Sequence, residues 1–79
     1  DPLKHARHAA KVLLKYKLLE WQRIPMADAL VWLENTPYFR LLHERHFATR
    51  DLHEWADELV RDLVASGAAA RQDDLLLNA

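Results

Sequence analysis

Two His-x-x-His pairs, His5 with His8 and His43 with His46, are the side chains of this 79-residue sequence best suited to ligate a metal. Residues three apart on a helix share a face, so each pair offers two imidazoles to one divalent ion. His53, Glu44 and Glu54 are at hand to complete a coordination sphere. Neither pair has the His-Glu-x-x-His spacing of a zincin helix, and there is no cysteine to supply a thiolate. Surface histidines on amphipathic helices are the expectation, with His43 and His46 placed near a helix end that favours positive charge. No metal and no cofactor are expected.

The second candidate set is acidic. Asp51, Glu54, Asp57, Glu58 and Asp62 follow one another through a single helical stretch beside Arg50 and Arg61. General acid/base chemistry needs two such groups held in a cleft with their pKa values pushed apart. Carboxylates spread along the solvated face of one helix are ordinary charge patterning. No Gly-rich loop is present to cradle a phosphate, and the one serine, Ser66, adjoins a helix stop. These residues predict a protein that is not an enzyme.

The third set is basic. Lys4, Arg7, His8, Lys11 and Lys15 fall on one strip of a helical wheel, suited to phosphates, a membrane surface or an acidic protein face. From Asp1 to Arg23 there are six Lys/Arg against two Asp/Glu, and from Thr49 onward three against seven. This polarity is hidden by a net charge of −1, which lacks the strong positive field of a nucleic-acid binder.

The elements that carry these groups are mainly helical. Leu52, Trp55, Ala56, Leu59, Val60, Leu63 and Val64 wind into one apolar stripe between Thr49, a capping hydroxyl, and Gly67, a helix stop. Asp1-Pro2 opens a first helix from Leu3 to about Gln22. Its apolar residues, Ala6, Ala9, Ala10, Val12, Leu13, Leu14, Tyr16, Leu19 and Trp21, cover more than half the circumference. Such a helix is buried on two sides or meets a second molecule. Arg23-Ile24-Pro25 breaks it. A second helix then runs from Met26 to about Glu34, with Ala27, Leu30, Val31 and Leu33 inward. A third follows Pro37 to about His46, with Tyr38, Phe39, Leu41 and Leu42 inward.

Ala68–Arg71, Gln72-Asp73-Asp74 and Leu75–Asn78 suit a short β-hairpin with an acidic turn, or continued helix. Gly67 favours the hairpin. The fold class is therefore mainly α: a compact four-helix domain with a short C-terminal β-hairpin. Its predicted core is Leu13, Leu30, Leu42, Trp55, Leu59 and Leu63. Residues 1–79 form a single domain, and the start at Asp1 rather than Met implies a piece of a larger protein. No apolar run is long enough to span a bilayer. Absence of cysteine fits a reducing, cytoplasmic setting.

Asp57-Glu-Leu-Val-Arg-Asp-Leu-Val-Ala-Ser-Gly67, followed by Ala-Ala-Ala-Arg-Gln-Asp-Asp-Leu-Leu-Leu, resembles the third helix of a winged helix-turn-helix domain passing into its wing. The resemblance covers the last third of the chain. It implies a winged-helix-like fold and a DNA-binding role in a transcriptional regulator. The chain departs from the pattern where Pro37 splits the second helix and where Asp73 and Asp74 replace the basic residues common in DNA-binding wings. An acidic third helix would repel phosphates. The leading expectation is a non-enzymatic interaction module that docks onto a protein partner or a second copy through its first helix. The contact set is Lys4, Arg7, Ala10, Lys11, Leu14 and Lys15.

Overall fold

The computed structural model describes residues 1–79, with four helices and three short strands. α1 spans Pro2–Trp21, β1 Arg23–Pro25, α2 Met26–Glu34, α3 Pro37–His46, α4 Leu52–Ala65, β2 Ala69–Gln72 and β3 Leu75–Asn78. Helix makes up 67% of the chain, and no helix is long and apolar enough to cross a membrane.

Local chemistry sets the boundaries. The Asp1 carboxylate caps α1 by accepting from the Leu3 N–H at 3.0 Å, with Pro2 occupying the first helical position. α1 ends where Gln22 turns to a φ of +65° and its N–H bonds back to the Leu18 carbonyl. Asp51, not Thr49, caps α4, its side chain accepting from the Glu54 N–H at 3.0 Å. Thr36 precedes α3 but does not cap it, because its hydroxyl donates back to the Trp32 carbonyl. Gly67 takes φ +81° after α4, the left-handed residue that lets the chain leave the helix.

The tail is the hairpin form of the two expected. β2 and β3 pair antiparallel around Asp73-Asp74, with Arg71 Nε donating to the Asp73 carbonyl at 2.9 Å. Asp73 holds a φ of +53°, which a short acidic side chain tolerates. The hairpin is joined by a strand unforeseen in the sequence. Arg23-Ile24-Pro25 breaks the helix as expected but also pairs antiparallel with β3, Ile24 opposite Leu76, giving a sheet of order β1-β3-β2. The Met26 N–H then donates to the Asp74 carbonyl at 2.7 Å, fastening the turn to the start of α2.

α1 lies at the centre, packed against α2, α3, α4, β1 and β3. Ala6, Ala9 and Ala10 let these neighbours approach, and Leu14 and Leu18 continue the buried side. The core adds Leu30, Leu33, Phe39, Leu42, Trp55, Leu59, Val60, Leu63 and Leu76. Of the predicted core only Leu13 is half-exposed, at its edge. Four residues expected inward are exposed. Ala27 and Val31 yield to Met26, Ala29, Leu30 and Leu33 on α2, and Tyr38 and Leu41 yield to Phe39 and Leu42 on α3. Each short helix has room for one inward stripe, and neighbouring apolar residues sit outside it.

Candidate functional site: the outer face of the first helix

The histidine pairs do not converge. His5 Nε2 lies 2.5 Å from the Tyr38 hydroxyl in a hydrogen bond between α1 and α3. His43 donates its Nε2–H to the Arg50 carbonyl at 2.6 Å and lies against Trp55, while His46 meets Phe47 edge-on. His53 Nδ1 is 3.0 Å from Glu34 Oε2 on α2. Nowhere do three His, Asp or Glu side chains gather as a metal site requires.

The acidic face of α4 is largely paired. Asp51 serves as the cap. Asp57 meets Arg61 at 2.8 Å, Glu58 meets Arg50 at 2.5 Å, and Asp62 reaches across to Arg7 on α1 at 3.2 Å. The hydrogen bond and charge of Glu58 raise the Arg50 pKa still further, so that guanidinium stays charged. Glu54 is left without an ion pair.

The basic strip lines an open cleft of about 780 Å³. Arg7, His8, Lys11 and Lys15 stand on one wall, and the end of α4 with Gly67 and Ala68 forms the other. α4 has no basic residue in its own last turn, so these α1 cations face its negative carbonyl end. An anion entering here would meet that carbonyl end and not a row of N–H donors. The strip therefore complements the helix dipole of its own fold before it offers anything to a phosphate.

Two members of the expected contact set are not on the surface. Ala10 is 0% and Leu14 1% exposed, both within the core, so neither is open to a partner. Lys4, Arg7, Lys11 and Lys15 are exposed as expected. Large apolar side chains of α1 do face outward: Leu3 and Trp21 near its ends, and between them Val12, Tyr16 and Leu19, at 52%, 69% and 67% exposure. The spacing of these last three, four and then three residues, places them in one row. Beside Val12, Tyr38 of α3 closes a groove of about 230 Å³ shared with His5, Ala9 and Leu13. The row was hidden in the sequence because the apolar arc of α1 is so broad. Residue type does not sort the two sides, since Leu14 and Leu18 are buried with the alanines while Val12, Tyr16 and Leu19 are exposed.

At the far end of α1, Lys17 places its ammonium 5.0 Å from the Trp21 ring and 5.4 Å from Trp32. This cation–π clamp ties α1 to α2. No protein-family model matches the chain, and neither does any curated protein or solved structure.

Proposed function

We propose that this domain is a non-enzymatic interaction module that docks a protein surface onto the outer face of α1. The observation that carries the reading is the row of Val12, Tyr16 and Leu19, three large apolar side chains each more than half exposed on one helix face. Apolar side chains gathered in one patch on a small domain mark an interface more often than singly scattered ones. Lys15 flanks the row and would orient an approaching acidic surface. The pairing of most α4 acids and the separation of the histidines support binding over acid/base or metal chemistry.

The reading is tested by a photo-crosslinking residue placed at Leu19 of the full-length protein, with Glu54 as the comparison position. Adducts to a polypeptide at position 19 and none at position 54 are expected. Adducts at neither, or equally at both, would overturn the assignment of this face.

A second reading, a DNA-binding winged helix, is favoured by the order of the elements. A helix, α4, runs into a hairpin, β2–β3, that shares a sheet with a strand, β1, following the first helix. Against it stand the carboxylates of α4, the helix that would have to enter the major groove.

A further inference from the structure

The geometry points to a second copy of this chain as the occupant of the α1 face, the two first helices lying parallel with Lys15 of each opposite Glu20 of the other. This inference rests on the reading of that face as a docking surface and names its partner.

Val12, Tyr16 and Leu19 follow one another at steps of four and three residues, and the row stops at Val12 because the next such position toward the N-terminus, Ala9, is buried in the core. That is the alternation of core positions in a two-stranded coiled coil. Tyr16 then stands at an a position, with Val12 and Leu19 at d. Lys15, just before Tyr16, occupies g, and Glu20, just after Leu19, occupies e. In a parallel pair a g residue faces the e residue five positions later on its neighbour, and these charges set orientation. Lys15 and Glu20 are five apart, of opposite sign and both exposed, and no ion pair within the domain engages either. A two-fold axis produces the contact twice. In an antiparallel pair g faces g, so Lys15 would meet its own copy or His8, and Glu20 would face Leu13. Charge therefore favours the parallel arrangement.

Toward the N-terminus His5 is held by Tyr38, so the paired length is confined to the stretch from Val12 to Glu20 and the helices splay beyond it. So short a seam falls below the roughly 1,200 Å² at which stable interfaces begin. The association is weak and concentration-dependent.

The absence of native cysteine makes introduced thiols clean reporters. Val12→Cys and Leu19→Cys are prepared separately and mixed, then oxidised at high protein concentration. Light scattering follows the unmodified chain and its charge variants from about 10 µM to 1 mM, a range spanning weak association. The expected result is a dimer in which each cysteine variant crosslinks to itself. Tyr16→Glu should weaken the dimer at least about tenfold while leaving the fold intact, since Tyr16 is exposed. Lys15→Glu and Glu20→Lys should each weaken it, and the double exchange should restore it. Crosslinking only between the two different cysteine variants would overturn the parallel pairing and leave the docking face standing. A dimer indifferent to Tyr16→Glu would overturn both the pairing and the face. A chain monomeric throughout would overturn self-association, and the crosslink at position 19 then reports independently whether another protein occupies the face.

Discussion

Trp55 is the residue on which the helices α3 and α4 close. Its indole stacks on Phe39 at 4.7 Å and on Phe47 at 4.8 Å, and the His43 ring leans against it at 5.4 Å. Stacked aromatic pairs add about 0.5–1.5 kcal/mol each beyond their buried area. The indole N–H has no acceptor although it is buried, so part of this gain is offset by a desolvated donor. Trp55→Ala removes every ring contact at once and should cost about 3–5 kcal/mol, as large aromatic truncations do. In a domain of this size that loss should abolish the cooperative transition in a urea melt followed by near-UV circular dichroism. A melt that stays cooperative at an unchanged midpoint would show the cluster to be peripheral. A second side chain makes stability depend on pH. The Glu34 hydrogen bond, then its charge, raise the His53 pKa above 6.5 against the desolvation that lowers it, with lesser help from Asp51 and Asp57. The folded state thus holds the proton more tightly than the unfolded chain. The stabilisation is full below the unfolded value near 6.5 and is lost as pH rises through the raised folded one. His53 is well exposed while Glu34 is mostly covered, and screening at the exposed imidazole keeps the effect small. Glu34→Gln should melt below the native protein at about pH 5.5, and the difference should shrink as pH rises through the raised folded pKa. A difference that did not vary with pH would show that the pair contributes through packing.

Among the elements, α4 and its exit are the parts best specified by local sequence. Its stripe, its acidic first turn and Gly67 all point to the same boundaries, and the structure places them within a residue or two of the expected ones. Gly67 makes a direct test. A methyl group there would meet nothing within 4 Å, so only its φ of +81° demands glycine. Gly67→Ala should therefore destabilise by about 1–2 kcal/mol, the usual penalty of a left-handed alanine, with no steric addition. Equal melting temperatures would mean that the chain leaves α4 by another conformation. The hairpin was legible for the same reason, because Gly67 and the Asp73-Asp74 turn interrupt a run that would otherwise continue as helix. β1 was not. Three residues ending in proline carry no strand signal of their own, and Ile24 becomes strand only because β3, from the far end of the chain, pairs with it. The outer face of α1 was only half legible. The sequence announced a helix with too much apolar surface, but Ala10 and Val12 look alike to a wheel. What separates them is which side α4 and the sheet approach, and that is decided by partners distant in sequence.

At the scale of the whole molecule, α1 is about 30 Å long at 1.5 Å per residue, nearly the full 31 Å of the longest dimension. The protein is thus one long helix half wrapped by everything else, with charge divided across it. Arg7 bonds to Asp62 where the basic and acidic portions meet, so part of that division is consumed in holding α1 to α4. Arg50 and Arg61 are likewise engaged by Glu58 and Asp57. A duplex approaching α4 would meet Glu54 unpaired, and its phosphates would compete for arginines already held by carboxylates. The expected outcome is that the native domain shows no saturable, salt-sensitive binding to a short DNA duplex by fluorescence anisotropy at low salt. Reversing Asp57 and Glu58 to lysine breaks two exposed ion pairs, each worth at most about 1 kcal/mol, so the fold should survive. That variant should gain non-specific binding, its log–log salt slope steeper by about 0.9 for each lysine that reaches a phosphate. If the native domain instead bound DNA and the charge-reversed variant lost it, α4 would be the nucleic-acid surface and its carboxylates would serve to select bases. The face of α1 would then be left to assembly alone.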